Sequence, residues 1–236
     1  MRRSNIIVAE ILQELKEKAL PGVTTLELDR FCEDKVKKYG TTAAFKGYRG
    51  YPFSICTSIN EEVVHGLPST RVLKEGDILS LDFGVICEGY YGDAAVTIPI
   101  GYVSSDAARL LNVTEKALDL AIKEAVVGKM VRDISSSIQR YAEDEGFSIV
   151  RDFVGHGIGK ALHEYPQVPN FVVPGMGVRL QSGMVLAIEP MLNEGGSMVK
   201  VLDDGWTAVT ADGSLAAHFE HSVAITRNGP YILSKI

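Results

Sequence analysis

The spacing of apolar positions changes period along this chain, and the change occurs twice. Ile7, Ile11 and Leu15 recur on one helical face, and the pattern predicts amphipathic helices over about 4–19 and about 25–39. Thr24-Thr25-Leu26-Glu27 has the form of a capping box, and Lys37, Lys38 and Gly40 suit a helix C-terminus. Strand-like runs follow at Phe53 to Ile59, Ile78 to Ile86 and Ala94 to Ile100. Glu88-Gly89-Tyr90-Tyr91-Gly92 joins the last two as a hairpin. After Gly101 helical spacing returns, over about 105–127 and about 132–145, with stops at Gly128 and Gly146. Strands are predicted again around Val150–Val154, Met184–Met191, Met198–Leu202, Trp206–Thr210 and Ala217–Thr226.

Helix, helix and sheet thus occur twice, which predicts an α+β fold of two pseudo-symmetric halves, about 1–101 and 102–236, in one domain. Lys74 to Asp82 matches Leu180 to Glu189 in character, and each acid lies six residues beyond a glycine, Gly76 or Gly183. Chance similarity between two glycine-then-strand segments is the competing account. A duplication would place a carboxylate from each half at their interface.

Composition narrows the class. The 236 residues are 46 % apolar and 23 % charged, ordinary for a soluble globular protein. A formal charge of −6 argues against nucleic acid or an anionic membrane as partner. Cys32, Cys56 and Cys87 lack CxxC spacing, which fits a reducing compartment. Glu10 and Glu14 interrupt the N-terminal apolar run, so a signal peptide is not expected, and no run approaches the roughly 20 apolar residues of a membrane span. The expected setting is the cytoplasm.

Against this background five side chains are misplaced. Asp82, Asp93, His156, Glu189 and Glu220 sit in apolar strands or glycine-bounded turns, where carboxylates are costly unless paired or bound to cations. Asp82 and Asp93 lie across the predicted hairpin, so they can share a centre if they face one side. Asp93 after Gly92 also reads as a turn aspartate. His156 lies in Gly155-His156-Gly157-Ile158-Gly159-Lys160-Ala161, which lacks the phosphate-loop spacing. No G-x-S-x-G is present, and His163-Glu164 is followed by Pro166 and Gln167, which defeats a zincin helix. In His218-Phe219-Glu220-His221, period two puts His218 and Glu220 on one face. His221 then reads as an exposed edge-strand histidine, and His218 stays open between a site-flanking and a surface role. Four carboxylates and one imidazole suit Mn, Fe(II) or Co. They could hold two such ions about 3.5–4 Å apart, which would lower the pKa of a bridging water.

Taken together, Gly47–Pro68, Asp77–Asp93, Gly155–Pro166, Met184–Met191, Gly205-Trp206-Thr207 and His218–Ser222 resemble the type I methionine aminopeptidases of the pita-bread metallopeptidase fold. The resemblance implies two divalent ions (Co, Mn, Fe(II) or Zn) bridged by Asp93 and Glu220. Asp82 would complete one shell, and His156 with Glu189 the other. Glu189 would also be the acid/base partner of a metal-bound hydroxide. His65 and His163 would hydrogen-bond the scissile amide, and Tyr48, Tyr51, Cys56 and Trp206 would line a methionine pocket. Leu162 stands where the family commonly has an aromatic residue, implying a wider pocket. The implied activity removes initiator methionine from nascent chains with a small second residue, at the ribosome and by a monomer. Glu189 to Glu220 leaves no room for the type II insertion, and helices from the start imply the short bacterial form. The alternatives are an X-Pro aminopeptidase of the same fold and a non-catalytic peptide-binding module.

Overall fold

A computed structural model describes every residue except Met176. Its α-helices, among the described residues, are α1 (Arg2–Lys18), α2 (Thr25–Tyr39), α3 (Ser105–Glu124) and α4 (Val131–Asp144). The capping box of α2 forms: the Thr24 N–H donates to Glu27 at 2.7 Å, Thr24 Oγ1 accepts from the Glu27 N–H, and Gly40 ends the helix at φ +63°. Helix α3 stops at Glu124, short of the expected end. The chain turns there so that the Gly128 N–H can donate to the Leu180 carbonyl. None of the described helices is long and apolar enough to cross a membrane.

A nine-stranded sheet runs in the order Thr42–Ala43, Ile78–Cys87, Tyr90–Pro99, Glu220–Thr226, Val185–Ile188, Gly155–Gly157, Glu164–Val168. Ile55–Ile59 also pairs with Ile78–Cys87, and Gly229–Ile232 with Glu220–Thr226. Alternation decides its two faces. Leu79, Leu81, Phe83, Val85, Ala94 and Ile98 point back into a core with α1 and α2. Leu186, Ile188, Val223 and Ile225 do the same with α3 and α4. Val96 packs against both cores, at the seam between them. The intervening residues are left to the opposite face.

The repetition read from sequence has a structural counterpart. Gly76 (φ +91°) donates its N–H to the Ile100 carbonyl at 2.9 Å, and Gly183 (φ +99°) donates to the Ile225 carbonyl at 2.9 Å. The return bonds, Ile100 N–H to Asp77 and Ile225 N–H to Met184, are both 2.8 Å. Both glycines occupy the left-handed region, which explains the shared Gly-then-strand pattern.

Several boundaries differ from expectation. The Val150–Val154 strand is replaced by Ser148–Ile149 and Gly155–Gly157. Pro190 splits the Met184–Met191 run, leaving Val185–Ile188 in the large sheet and Met191–Asn193 in a small one. Phe219 splits the last run likewise, so Ala216–His218 pairs with Met191–Asn193 while Glu220–Thr226 joins the large sheet.

Gly92 shows how tightly the first half is packed. A Cβ there would lie 2.6–2.7 Å from backbone atoms of Ser4 and Asn5 in α1. Gly92→Ala is therefore expected to push α1 off its strand and cost about 1–3 kcal/mol, read as a lower urea midpoint. An unchanged midpoint would contradict this packing.

Candidate metal centre

Register brings the five side chains together. Antiparallel partners point to one face of a sheet. Asp82 is paired with Ala95, and so is Glu220 from the other side. Asp93 lies two residues before Ala95, opposite Gly84. Ala187 faces Ser222 on one side and His156 on the other. Ser222 is two beyond Glu220, and Glu189 two beyond Ala187, so by parity all five share the face turned away from the helices. The residues between them, Ala95 and Ala187, are small.

The donor set fits a cation. Ligand atoms of Asp93, His156 and Glu220 lie within 4.8 Å of one another, and all three residues are buried. Asp82 Oδ1, Asp93 Oδ1 and Glu220 Oε1 are buried with no hydrogen-bond partner among the described residues. Burial raises all four carboxylates above their ordinary range, and at Asp93 and Glu220 the neighbouring carboxylates add to it. Buried carboxylate oxygens without partners around one cavity are what a divalent ion satisfies.

The imidazoles are arranged to match. His156 Nδ1 lies 2.9 Å from the Gly157 carbonyl, which makes Nδ1 the protonated nitrogen and leaves the Nε2 lone pair free. That Nε2 is 3.5 Å from Glu189 Oε1. Burial lowers His156 to about 4, so it stays neutral near pH 7. His65 is lowered to about 4 by burial and then by its histidine neighbours. It is held at φ +60°, with the Phe153 ring edge-on at 5.3 Å. The following Gly66 has no room for a Cβ, which would sit 2.3 Å from the Thr57 carbonyl. His163 is lowered by burial and the Arg49 charge, and its ring lies 4.3 Å from that of His156.

A cavity of about 290 Å³ connects these groups. The eleven residues given metal, catalytic or pocket roles from sequence all line it: Tyr48, Tyr51, Cys56, His65, Asp82, Asp93, His156, His163, Glu189, Trp206 and Glu220. Tyr51 Oη donates to the Ile55 and Gly66 carbonyls at 3.0 and 3.1 Å, joining the pocket wall to the His65 turn. Its ring meets Trp206 edge-on at 5.1 Å. Trp206 is fixed by Asp204, whose Oδ1 accepts from the Trp206 and Thr207 N–H groups at 2.8 Å. Leu162 is buried in the same wall with Phe45 and Ile158.

One open reading is resolved and one changes. Of the two roles left open for His218 the structure has the site-flanking one: it is buried, and its Nε2 lies 3.5 Å from Glu189 Oε2 with no hydrogen-bond partner among the described residues. His221 does point away, yet its strand is interior to the sheet, and its Nδ1 meets Ser234 Oγ at 2.9 Å. An edge position was expected because the strand's neighbours come from distant sequence. Phe45, Phe153 and Arg49 also line the cavity and were not singled out. Arg49 sits beside Tyr48 at φ +49°, a conformation that composition does not announce.

Comparison with known proteins agrees with this geometry. Residues 1–227 match the profile of metallopeptidase family M24. The chain is 56 % identical to a methionine aminopeptidase of Clostridium acetobutylicum over 99 % of this chain and 94 % of that one. It is 51 % identical to methionine aminopeptidase 1 of Bacillus subtilis, over 100 % of this chain and 95 % of the relative. The crystal structure of methionine aminopeptidase from Thermotoga maritima superposes with TM-score 0.98 at 48 % identity, covering 100 % and 95 % of the two chains. A Bacillus anthracis Xaa-Pro dipeptidase, at 21 % identity and TM-score 0.80 over 100 % of this chain and 59 % of that one, shares the pita-bread fold. The chain belongs to metallopeptidase family M24, on its type I, bacterial methionine aminopeptidase branch.

Proposed function

We propose that this protein removes N-terminal methionine from polypeptides whose second residue is small, using two divalent ions drawn from Co, Mn, Fe(II) or Zn. Three buried carboxylate oxygens without partners, contributed by both halves to one cavity, are the observation that carries this reading. Asp93 and Glu220 would bridge the ions, Asp82 would complete one shell, and His156 Nε2 with Glu189 the other. Bound there, such ions acidify water and polarise a carbonyl.

The chain's own residues supply the rest. Tyr51, Cys56, Trp206 and Leu162 form a wall suited to an unbranched thioether side chain. Burial, with Asp82 beside it, pushes the Cys56 thiol up, so it stays protonated and takes part as an apolar surface. Neutral His65 and His163 would donate hydrogen bonds to the scissile amide and to charge developing on it. Glu189 turns Oε1 toward His156 and Oε2 toward His218. Oε2 is the atom on which it would hold a proton for the leaving amine.

The setting is proposed too: nascent chains at the ribosome, in the cytoplasm, with the protein acting as a monomer. Three free, buried cysteines suit a reducing compartment.

Release of methionine from Met-Ala-Ser by the Mn- or Co-loaded protein, with little cleavage of Leu-Ala-Ser or of X-Pro bonds, is the expected result. Preferred X-Pro cleavage would move it to the related X-Pro aminopeptidases. Absence of methionine release with every divalent ion would leave the binding-module reading.

The raised carboxylates make the metal-free protein's stability depend on pH. Their folded pKa values exceed their unfolded ones, so the folded state binds more protons between the two. Their contribution to stability is then greatest below the unfolded values and is lost as pH rises through the folded ones, whereas the buried histidines, lowered from their ordinary 6.5, act in the opposite sense as pH falls below that value. Metal-free protein is expected to melt at higher temperature at pH 7 than at pH 8.5, a range in which the histidines are largely neutral both folded and unfolded. At pH 8 saturating Mn should add about 5–10 °C, and less at pH 5.5, where protons must first be displaced. A melting temperature that climbs over that range in the absence of metal would contradict this.

Asp93→Asn tests the same balance from the other side. Removing one of four crowded charges is expected to raise the metal-free melting temperature, abolish the Mn-induced rise, and cut kcat by at least about 10³-fold. Retained metal stabilisation in the variant would exclude Asp93 as a ligand.

A further inference from the structure

Tyr48 does something besides line the pocket. Its Oη lies 2.7 Å from His163 Nδ1, and the two rings are tilted at 37° with centroids 5.3 Å apart. The His163 ring also lies beside that of His156, with centroids 4.3 Å apart. We propose that Tyr48 is a positioning residue for His163: its phenol donates to Nδ1 and keeps the proton of the neutral ring on Nε2, the nitrogen that must donate to substrate. The second half rests on the proposed aminopeptidase reaction, whereas the hydrogen bond does not.

Three observations support the direction of that bond. A phenol is a far stronger acid than a neutral imidazole N–H, so between the two the O–H is the natural donor and the bare nitrogen the acceptor. The Arg49 guanidinium lies 5.5 Å from the Tyr48 ring centroid, and a cation on that face draws electron density from the oxygen and sharpens the donor. Finally, the turn that presents Tyr48 is stiff. Tyr48 opens a single 3-10 turn (Tyr48–Gly50) flanked by Gly47 at φ +87°, with Arg49 at +49° and Gly50 at +91°. The Tyr48 N–H donates to the Phe45 carbonyl, and the Gly47 N–H to the Tyr51 carbonyl, each at 2.8 Å. A left-handed arginine between two left-handed glycines is strained, and such strain is kept where a side chain must be held in place. Here it holds the phenol over His163.

The test has two independent arms. In ¹⁵N-labelled protein loaded with diamagnetic Zn(II), His163 signals are assigned by their loss in His163→Gln. The expected ring carries its proton on Nε2 and has a bare, hydrogen-bonded Nδ1 whose resonance moves in Tyr48→Phe. A proton on Nδ1, or a resonance unmoved by Tyr48→Phe, overturns the proposal. The second arm is a double-mutant cycle on Met-Ala-Ser. Tyr48→Phe is expected to lower kcat about tenfold with KM changed less than about twofold, and to cost less than about twofold in a His163→Ala background. An equal loss in both backgrounds, or a raised KM with kcat intact, makes Tyr48 a pocket wall alone and overturns the catalytic half. If the wild-type protein releases no methionine, the proposed function fails by itself, and the spectrum still decides whether Tyr48 sets the proton of His163.

Discussion

Four carboxylates withdrawn from water on one face of one sheet repel one another, and most of the architecture bears on how they are kept there. Each would lower its own energy by turning outward or taking up a proton. Turning outward is closed to them by parity. Leu81 and Phe83 on either side of Asp82 are committed to the helical core, so Asp82 has one face left. The same holds for Glu220, fixed between Phe219 and its core-facing strand mates Val223 and Ile225. The hydrophobic effect, spread over two large cores, thus holds a small number of charges in a place electrostatics opposes. A cation held among them would offset that repulsion.

The location of the site adds a second consequence. In the large sheet the two halves join along one short ladder, in which Glu220 pairs with Ala95 and His221 with Ala94, and a small sheet joins them again where Ala208–Thr210 pairs with Glu62–Val64. Asp82 and Asp93 come from one side of the large-sheet seam and His156, Glu189 and Glu220 from the other. Ions held by that set would bridge the halves at a seam of only two register pairs. Charge neutralisation and half-to-half cohesion are then one interaction. Ala95, paired with a carboxylate on each side, leaves the room for it.

How much of this was legible in the sequence varies with the physics involved. The helices and the Ile78–Cys87/Tyr90–Pro99 hairpin were legible because their apolar periods are local. The acids were legible because charge in an apolar run is anomalous whatever the fold. What joins them was not: the pairing of Glu220 with Ala95 spans 125 positions, and no local pattern encodes it. The Glu164–Val168 strand was missed because Pro166 and its polar neighbours obscure its alternation. His221 was misplaced for the related reason that edge and centre differ only by partners far away in sequence. The roles of His65 and His163 came from family resemblance alone, since a histidine in a loop has no periodicity to violate.

The division of labour between strands and loops follows from the same repulsion. Groups that must oppose one another at fixed spacing sit on or at the ends of strands of the large sheet, where main-chain bonds to neighbours on both sides resist displacement. Most of the groups that would meet the substrate sit on turns, Cys56 on Ile55–Ile59 being the exception: His65 at φ +60°, Tyr48 beside its left-handed arginine, Trp206 on the Asp204 turn. Turns can hold such angles because they owe no register to a neighbouring strand. Each is nevertheless tied back, Tyr51 to the Gly66 carbonyl and Asp204 to two N–H groups, so the pocket wall is adjustable in sequence yet fixed in place. A substitution such as Leu162 can therefore reshape the pocket while leaving the charges on the sheet where the two cores have put them.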